Sequence, residues 1–210
     1  DWLKASSPKS KVITASGKDR AAILMGGKHP DCAYWYSRKN GHMVTSDYYT
    51  QHVPGWVTEF NGSQWIEKNV PPAWTKLLPE SVYTKEGPDE FIAEAKVNSS
   101  SSFPHLFEPG KKTEQLLGTP FGDLLMLDFA REAIRAEQLG QRGVADLLCL
   151  SLSDCDYIGH AFGPNSHEMI DHLVRLDRAL GSFFADAQKA VGASNLLVVL
   201  SADHGVMPLP

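Results

Sequence analysis

Two short polar clusters and one basic pair carry the residue types that metal binding or catalysis needs. The first cluster is Ser151-Leu152-Ser153-Asp154-Cys155-Asp156-Tyr157-Ile158-Gly159-His160, and the second is Ser201-Ala202-Asp203-His204-Gly205. Carboxylate oxygen and imidazole nitrogen are ordinary zinc donors, at about 2.0–2.2 Å. Asp156 and His160 stand four apart with Gly159 between them, which lets a loop fold so that both point to one ion. Asp203 and His204 are adjacent, and neighbours in an extended strand point to opposite faces. They can share an ion only if the backbone turns, and Gly205 permits that turn. Either pair alone reads as a solvated loop or a helix cap; two such pairs at successive strand ends form the pattern of a metal site. The basic pair is Lys18 and Arg20, in Gly17-Lys18-Asp19-Arg20. Arginine gives planar, bidentate donation to phosphate, and lysine gives a compact charge. The plainer reading is a basic helix start on the surface, but a cation there opposes the helix dipole and gains no local support.

These residues sit just after predicted strands. Lys11–Ala15 reads as a short buried strand ended by Ser16-Gly17, and Lys18–Met25 as a two-turn helix stopped by Gly26-Gly27. Ala33–Tyr36 and Met43–Thr45 flank Asn40-Gly41, a strong hairpin signal. Asp47–Phe60 reads as helical in part. Residues 61–118 change character: Pro71-Pro72, Pro79 and the run Asn98–Ser102 predict an irregular insertion or cap, with aromatic anchors Trp65, Trp74 and Tyr83, of which Trp65 and Trp74 are expected to form its own small core. Thr119-Pro120 pairs an N-cap residue with proline at the first helical position. Leu127, Ala130, Ile134 and Leu139 then give one apolar face. Val144–Leu152 reads as a buried strand and Ser153–Asn165 as a polar loop. From Ser166 a long helix carries the stripe Met169, Leu173, Leu176, Leu180, Phe183 and Ala187, and Gly192 stops it. Asn195–Leu200 reads as the next buried strand. Helix, strand, helix, strand with continuous apolar strands implies a parallel sheet covered on both faces, with ligands bound off the carboxyl ends of the strands.

Composition narrows the classes. The chain has 210 residues, 42% of them hydrophobic, enough for a substantial core. Its formal net charge is −5 with no basic stripe, which argues against nucleic acid as a partner. No apolar run approaches the ~18–20 residues of a membrane span. Cys32, Cys149 and Cys155 cannot all pair within the chain and form no CxxC, so neither a disulfide framework nor a cysteine zinc site is indicated.

Asp156-Tyr157-Ile158-Gly159-His160, followed 47 positions after Asp156 by Asp203-His204-Gly205, resembles the paired metal-binding motifs of the alkaline phosphatase superfamily. With Lys18-Asp19-Arg20 the pattern is closest to the phosphate-irrepressible, Lys-x-Arg type alkaline phosphatases and the related nucleotide pyrophosphatase/phosphodiesterases. The resemblance implies an α/β fold: a three-layer sandwich with a mostly parallel sheet, incomplete in this chain, and a loop-rich insertion. Residues 1–60 and 119–210 would form one catalytic core, and 61–118 the insertion or cap. It also implies two Zn2+, one held by Asp156 and His160 and one by Asp203 and His204, with Lys18 and Arg20 on the phosphoryl oxygens. The implied reaction is hydrolysis of phosphate monoesters through a covalent phospho-enzyme, in a periplasmic or secreted setting. The Thr or Ser nucleophile and the remaining ligands match no position here, so the chain is expected to be part of a longer polypeptide. Phosphodiester hydrolysis, or a non-catalytic binding role on the same fold, is the alternative. Asp154 and Asn165 are expected either to orient ligands or to cap the loop.

Overall fold

The computed structural model describes residues 1–84, 87–90, 94 and 100–207; Asn98 and Ser99 of the predicted serine-rich run lie outside the described residues. In chain order the elements are α1 (Trp2–Ser6), β1 (Val12–Ser16), α2 (Asp19–Gly26), β2 (Cys32–Ser37), β3 (His42–Val44), α3 (Gly55–Gly62), α4 (Trp65–Asn69), β4 (Ala73–Trp74), α5 (Glu80–Tyr83), β5 (His105–Leu106), α6 (Lys112–Gln115), α7 (Pro120–Glu137), β6 (Leu147–Ser151), α8 (Asp154–Phe162) and α9 (His167–Val191).

The main sheet has the order β3-β2-β1-β6. β1 runs parallel to both β2 and β6, with Ser16 opposite Trp35 on one side and Ser151 on the other. β3 returns antiparallel to β2 through the predicted Asn40-Gly41 turn, where Gly41 takes φ 73°. Successive strand residues point to opposite faces, and β1 shows both. Thr14 Oγ1 donates to the carbonyl of Ala22 in α2 at 2.6 Å. Ile13 and Ala15 join the apolar cluster that holds Phe129 of α7. α2 and α7 therefore cover opposite faces, giving the expected layered α/β arrangement with a mostly parallel sheet. Phe129 sits at the centre of that cluster, its ring 5.2 Å from Tyr34, 5.0 Å from Trp56 and 5.2 Å from Phe60.

Three local expectations change. Ser153–Asn165 is not a loop throughout: Asp154–Phe162 is a helix, closed at Gly163 with φ 87°. Acidic Asp154 and Asp156 in its first turn and His160 in its last complement the helix dipole. Asn195–Leu200 is not a strand. Leu197 is 85% and Leu200 91% exposed, and among the described residues no strand pairs with the outer edge of β6. An extended segment becomes a strand only when its N–H and C=O rows find partners, and among the described residues this one pairs with no strand. Trp74 forms no separate small core. It packs, with Ile66 and Val70, in the same cluster as Ile13 and Tyr34.

The first two turns of α9 carry buried acids and imidazoles that bind Trp74, Leu77, Tyr83, Gly87, Asp89 and His105. Asp171 accepts hydrogen bonds from Trp74 Nε1 (2.6 Å), the Leu77 N–H (2.6 Å), Tyr83 Oη (2.7 Å) and Arg175 Nε (2.6 Å). Glu168 meets His105 Nε2 at 2.6 Å, both buried. His167 lies 3.0 Å from Asp89 and 3.1 Å from the carbonyl of Gly87.

Candidate active site

Three neighbouring parallel strands end side by side, and the residues that follow them converge. Lys18 follows β1 as the residue before α2, its backbone extended and its N–H held by Ser16 Oγ at 3.0 Å. α8 follows β6 and places Asp156 and His160 one helical turn apart on one face. Helix periodicity thus does what a loop was expected to do. The ammonium of Lys18 pairs with Asp156 Oδ2. Asp156 Oδ1 lies 3.2 Å from His160 Nε2 and 3.5 Å from His204 Nε2. His204 Nε2 is also 3.5 Å from Asp203 Oδ2, the chain bending at Asp203 as the sequence requires. All four predicted ligands and Lys18 belong to one cluster. Arg20 does not join it: the residue is exposed on α2, and its recorded hydrogen bond is from its backbone N–H to Asp19 Oδ1 at 2.7 Å.

The cluster's electrostatics centre on Asp156. Partial burial pushes its carboxyl up, but the Lys18 hydrogen bond and charge, with His160 and His204, outweigh burial and hold it below the ordinary range. His204 is shifted up by its hydrogen bond to the carbonyl of Gly205 and by Asp203 and Asp156.

The donor set suits a metal by one further observation. Asp156 Oδ1 is buried and has no hydrogen-bond partner, while two imidazole nitrogens face it. A buried carboxylate oxygen without a donor is costly, and a cation supplies what it lacks. The set is open: among the described residues no three of these donors close around a common point.

Two residues support the cluster, and the sequence alone did not show their contacts. The Asp154 carboxylate accepts the N–H of Gly118 at 2.8 Å and of Asp123 at 2.6 Å, which fixes the head of α8 against the head of α7. Burial raises Asp154 to about 7, against these hydrogen bonds and the charges of Arg38 and Lys18. Burial and the Asp154 charge also push Asp123 well up. Gly122 lies against Asp154, where a Cβ would overlap the carboxylate. Gly159 is the second support: a Cβ there would stand 3.0 Å from Val206 Cγ2, so its absence lets the chain after His204 pack on α8. The Gly159 position was visible in the motif, whereas the contacts of Asp154 with residues more than thirty positions away carry no local signal. Asn165, the other expected support, is exposed.

Comparisons with known proteins place the chain in a family. The family model described as type I phosphodiesterase / nucleotide pyrophosphatase matches residues 10–210. Alkaline phosphatase PhoV of Synechococcus elongatus is 42% identical over 210 residues, covering 98% of this chain and 38% of the relative. Alkaline phosphatase PafA of Elizabethkingia meningoseptica is 41% identical over 207 residues, covering 96% of this chain and 38% of the relative. A crystal structure of a PafA variant superposes with a TM-score of 0.87 at 37% identity, covering 92% of this chain and 38% of that one. That variant carries four substitutions, among them a lysine and an arginine two positions apart, each replaced by alanine. The chain thus spans a little over a third of the length of the relatives it matches. On these grounds the chain belongs to the type I phosphodiesterase / nucleotide pyrophosphatase family and is a homologue of the PhoV and PafA alkaline phosphatases.

Proposed function

We propose that the polypeptide containing this chain hydrolyses phosphate monoesters with two Zn2+ at the cluster formed by Lys18, Asp156, His160, Asp203 and His204. The observation that carries the reading is the approach of His160 and His204 to Asp156, of Asp203 to His204, and of Lys18 to Asp156, which brings both Asp–His pairs into one cluster. Asp156 and His160 would hold one ion, and Asp203 and His204 the other. When bound, such a pair stabilises charge on the attacking and leaving oxygens of an in-line displacement. The chain's own residues do the rest. Lys18, now the counter-ion of Asp156, stands where a nonbridging phosphoryl oxygen needs a cation. Arg20, exposed on the first turn of α2, would turn in and add its planar fork. α8, fixed by Asp154, keeps Asp156 in position without reorganisation during reaction. A hydroxyl nucleophile from outside these 210 residues, Thr or Ser, would take the phosphoryl group and yield it to water.

Two cations favour a dianionic monoester over a singly charged diester, the second reading, which the family description supports. The proposed setting is periplasmic or secreted, and residues 61–118 are proposed as an insertion that shapes substrate choice over a core of 1–60 and 119–210. The test pairs metal content with turnover of a chromogenic monoester in the zinc-supplemented polypeptide. Asp156→Ala and His204→Ala should lose bound zinc and turnover together, and Arg20→Ala should lose turnover with zinc retained. Full zinc content in both ligand variants would refute the assignment.

A further inference from the structure

Arg38 stands beside the cluster and takes no part in the proposed chemistry. It is the first residue after β2, and β2 runs parallel to β1, so Arg38 leaves the sheet at the same end as Lys18. Both cations lie over the ring of Tyr157, the neighbour of Asp156: Lys18 Nζ is 4.4 Å and Arg38 Cζ 5.1 Å from its centroid. The two charges are therefore separated by no more than the sum of those distances, and both act on the Asp154 carboxyl. Their partners differ. Lys18 is answered by Asp156. Arg38 donates Nη1 to the carbonyl of Glu114 at 3.1 Å, and among the described residues no carboxylate lies within ion-pair distance of it. A guanidinium has five donors in a fixed fork. Here one donor and one face hold it in place, and the remaining donors are directed to no protein acceptor among the described residues.

We infer that Arg38, seated on Tyr157, is a specificity-determining residue that receives a second anionic group, on the leaving-group side of a phosphate ester whose phosphoryl group lies at Lys18. The preferred substrates are then bis-anionic esters, with a carboxylate or a second phosphate about one aromatic ring away from the scissile phosphate. The inference rests on the phosphatase reading for the place of the phosphoryl group.

The experiment measures kcat/KM of the full zinc-loaded polypeptide for 4-carboxyphenyl phosphate and phenyl phosphate. It also measures the affinity for the inert pair 4-phosphonobenzoate and phenylphosphonate by calorimetry. The carboxylated member of each pair should be favoured. Arg38→Ala, and Arg38→Met with its stem retained on Tyr157, should each reduce that preference about tenfold, the scale of one charge-assisted hydrogen bond. Raised salt should reduce it too. Equal preference in wild type and both variants overturns the inference, even where turnover is high. Absent turnover with the Arg38-dependent binding preference intact overturns the phosphatase reading and leaves the anion position standing.

Discussion

The carboxylate of Asp154, at the head of α8, closes the head of α7 by accepting the N–H of Asp123 at 2.6 Å, and Asp154's own N–H returns to Asp123 Oδ1 at 3.3 Å. Thr119 is the residue at the N-cap position, but its hydroxyl donates backwards to the carbonyl of Leu116 at 2.6 Å. The capping acceptor for α7 thus comes from the helix that carries the candidate metal ligands. Asp154→Ala should cost about 2 kcal/mol, the loss of a cap with two buried N–H groups left open. Urea unfolding checks this, and zinc affinity should fall with it because the first turn of α8 loses its anchor.

Gly159 separates the site from the helix around it. Alanine in place of glycine inside a helix ordinarily stabilises by roughly 0.5–1 kcal/mol. At Gly159 the new Cβ meets Val206 at 3.0 Å and Met169 Cε at 3.3 Å. Gly159→Ala is expected to leave the midpoint of unfolding little changed or lower, and to weaken zinc binding about tenfold as the segment carrying His204 moves off α8. A stabilised variant with normal zinc affinity would contradict this packing.

Asp171 satisfies four donors at once, and three of them belong to the segment from Trp74 to Tyr83. Removing one partner of a buried ionic network leaves the others without water or acceptor, a loss of about 3–5 kcal/mol. Asp171→Ala should show that loss in urea and should open residues 74–84 to limited proteolysis before the sheet unfolds.

His172 gives a pH signature. Burial lowers its pKa from 6.5 to about 4, against the charge of Asp171. Asp123 Oδ2 faces it at 3.6 Å, and neither ring nitrogen has a hydrogen bond among the described residues. The folded pKa lies below the unfolded one, so the unfolded chain takes up a proton that the fold refuses. Stability from this group is complete above about pH 6.5 and is lost as pH falls to about 4, by roughly 3 kcal/mol. Asp123, raised by burial and the Asp154 charge, acts in the opposite sense and is present in both proteins of the comparison. His172→Asn should therefore lose less stability than wild type between pH 7 and pH 4, measured from urea midpoints.

Much of the fold was legible where local rules decide it. The Asn40-Gly41 hairpin and the helix starts at Thr119-Pro120 and Ser166 stand where expected; Ser166 Oγ accepts from the Met169 N–H at 3.1 Å. The errors arose where tertiary structure decides. Asp154–Phe162 is rich in polar residues and contains Gly159, so it reads as a loop, yet it is a helix whose first residue, Asp154, holds the head of α7. Leu196–Leu200 has the apolar run of a buried strand, but a strand is defined by its partner, which no sequence run specifies. Type and spacing singled out Asp156, His160, Asp203 and His204, which the structure brings near one another; the contacts of Asp154, Gly122 and Arg38 are with residues distant in sequence.

The central claim is that Lys18, beside the paired Asp–His donors, and Arg20, on the first turn of α2, serve a dianionic phosphoryl group. The ratio of kcat/KM for a chromogenic phosphate monoester to that for its matching diester, in zinc-supplemented polypeptide at alkaline pH, tests it most directly. The account predicts a strong monoester preference that Lys18→Ala and Arg20→Ala each reduce by roughly tenfold or more, the worth of a charge-assisted contact to phosphate. A diester preference, or a monoester preference untouched by both substitutions, would contradict it.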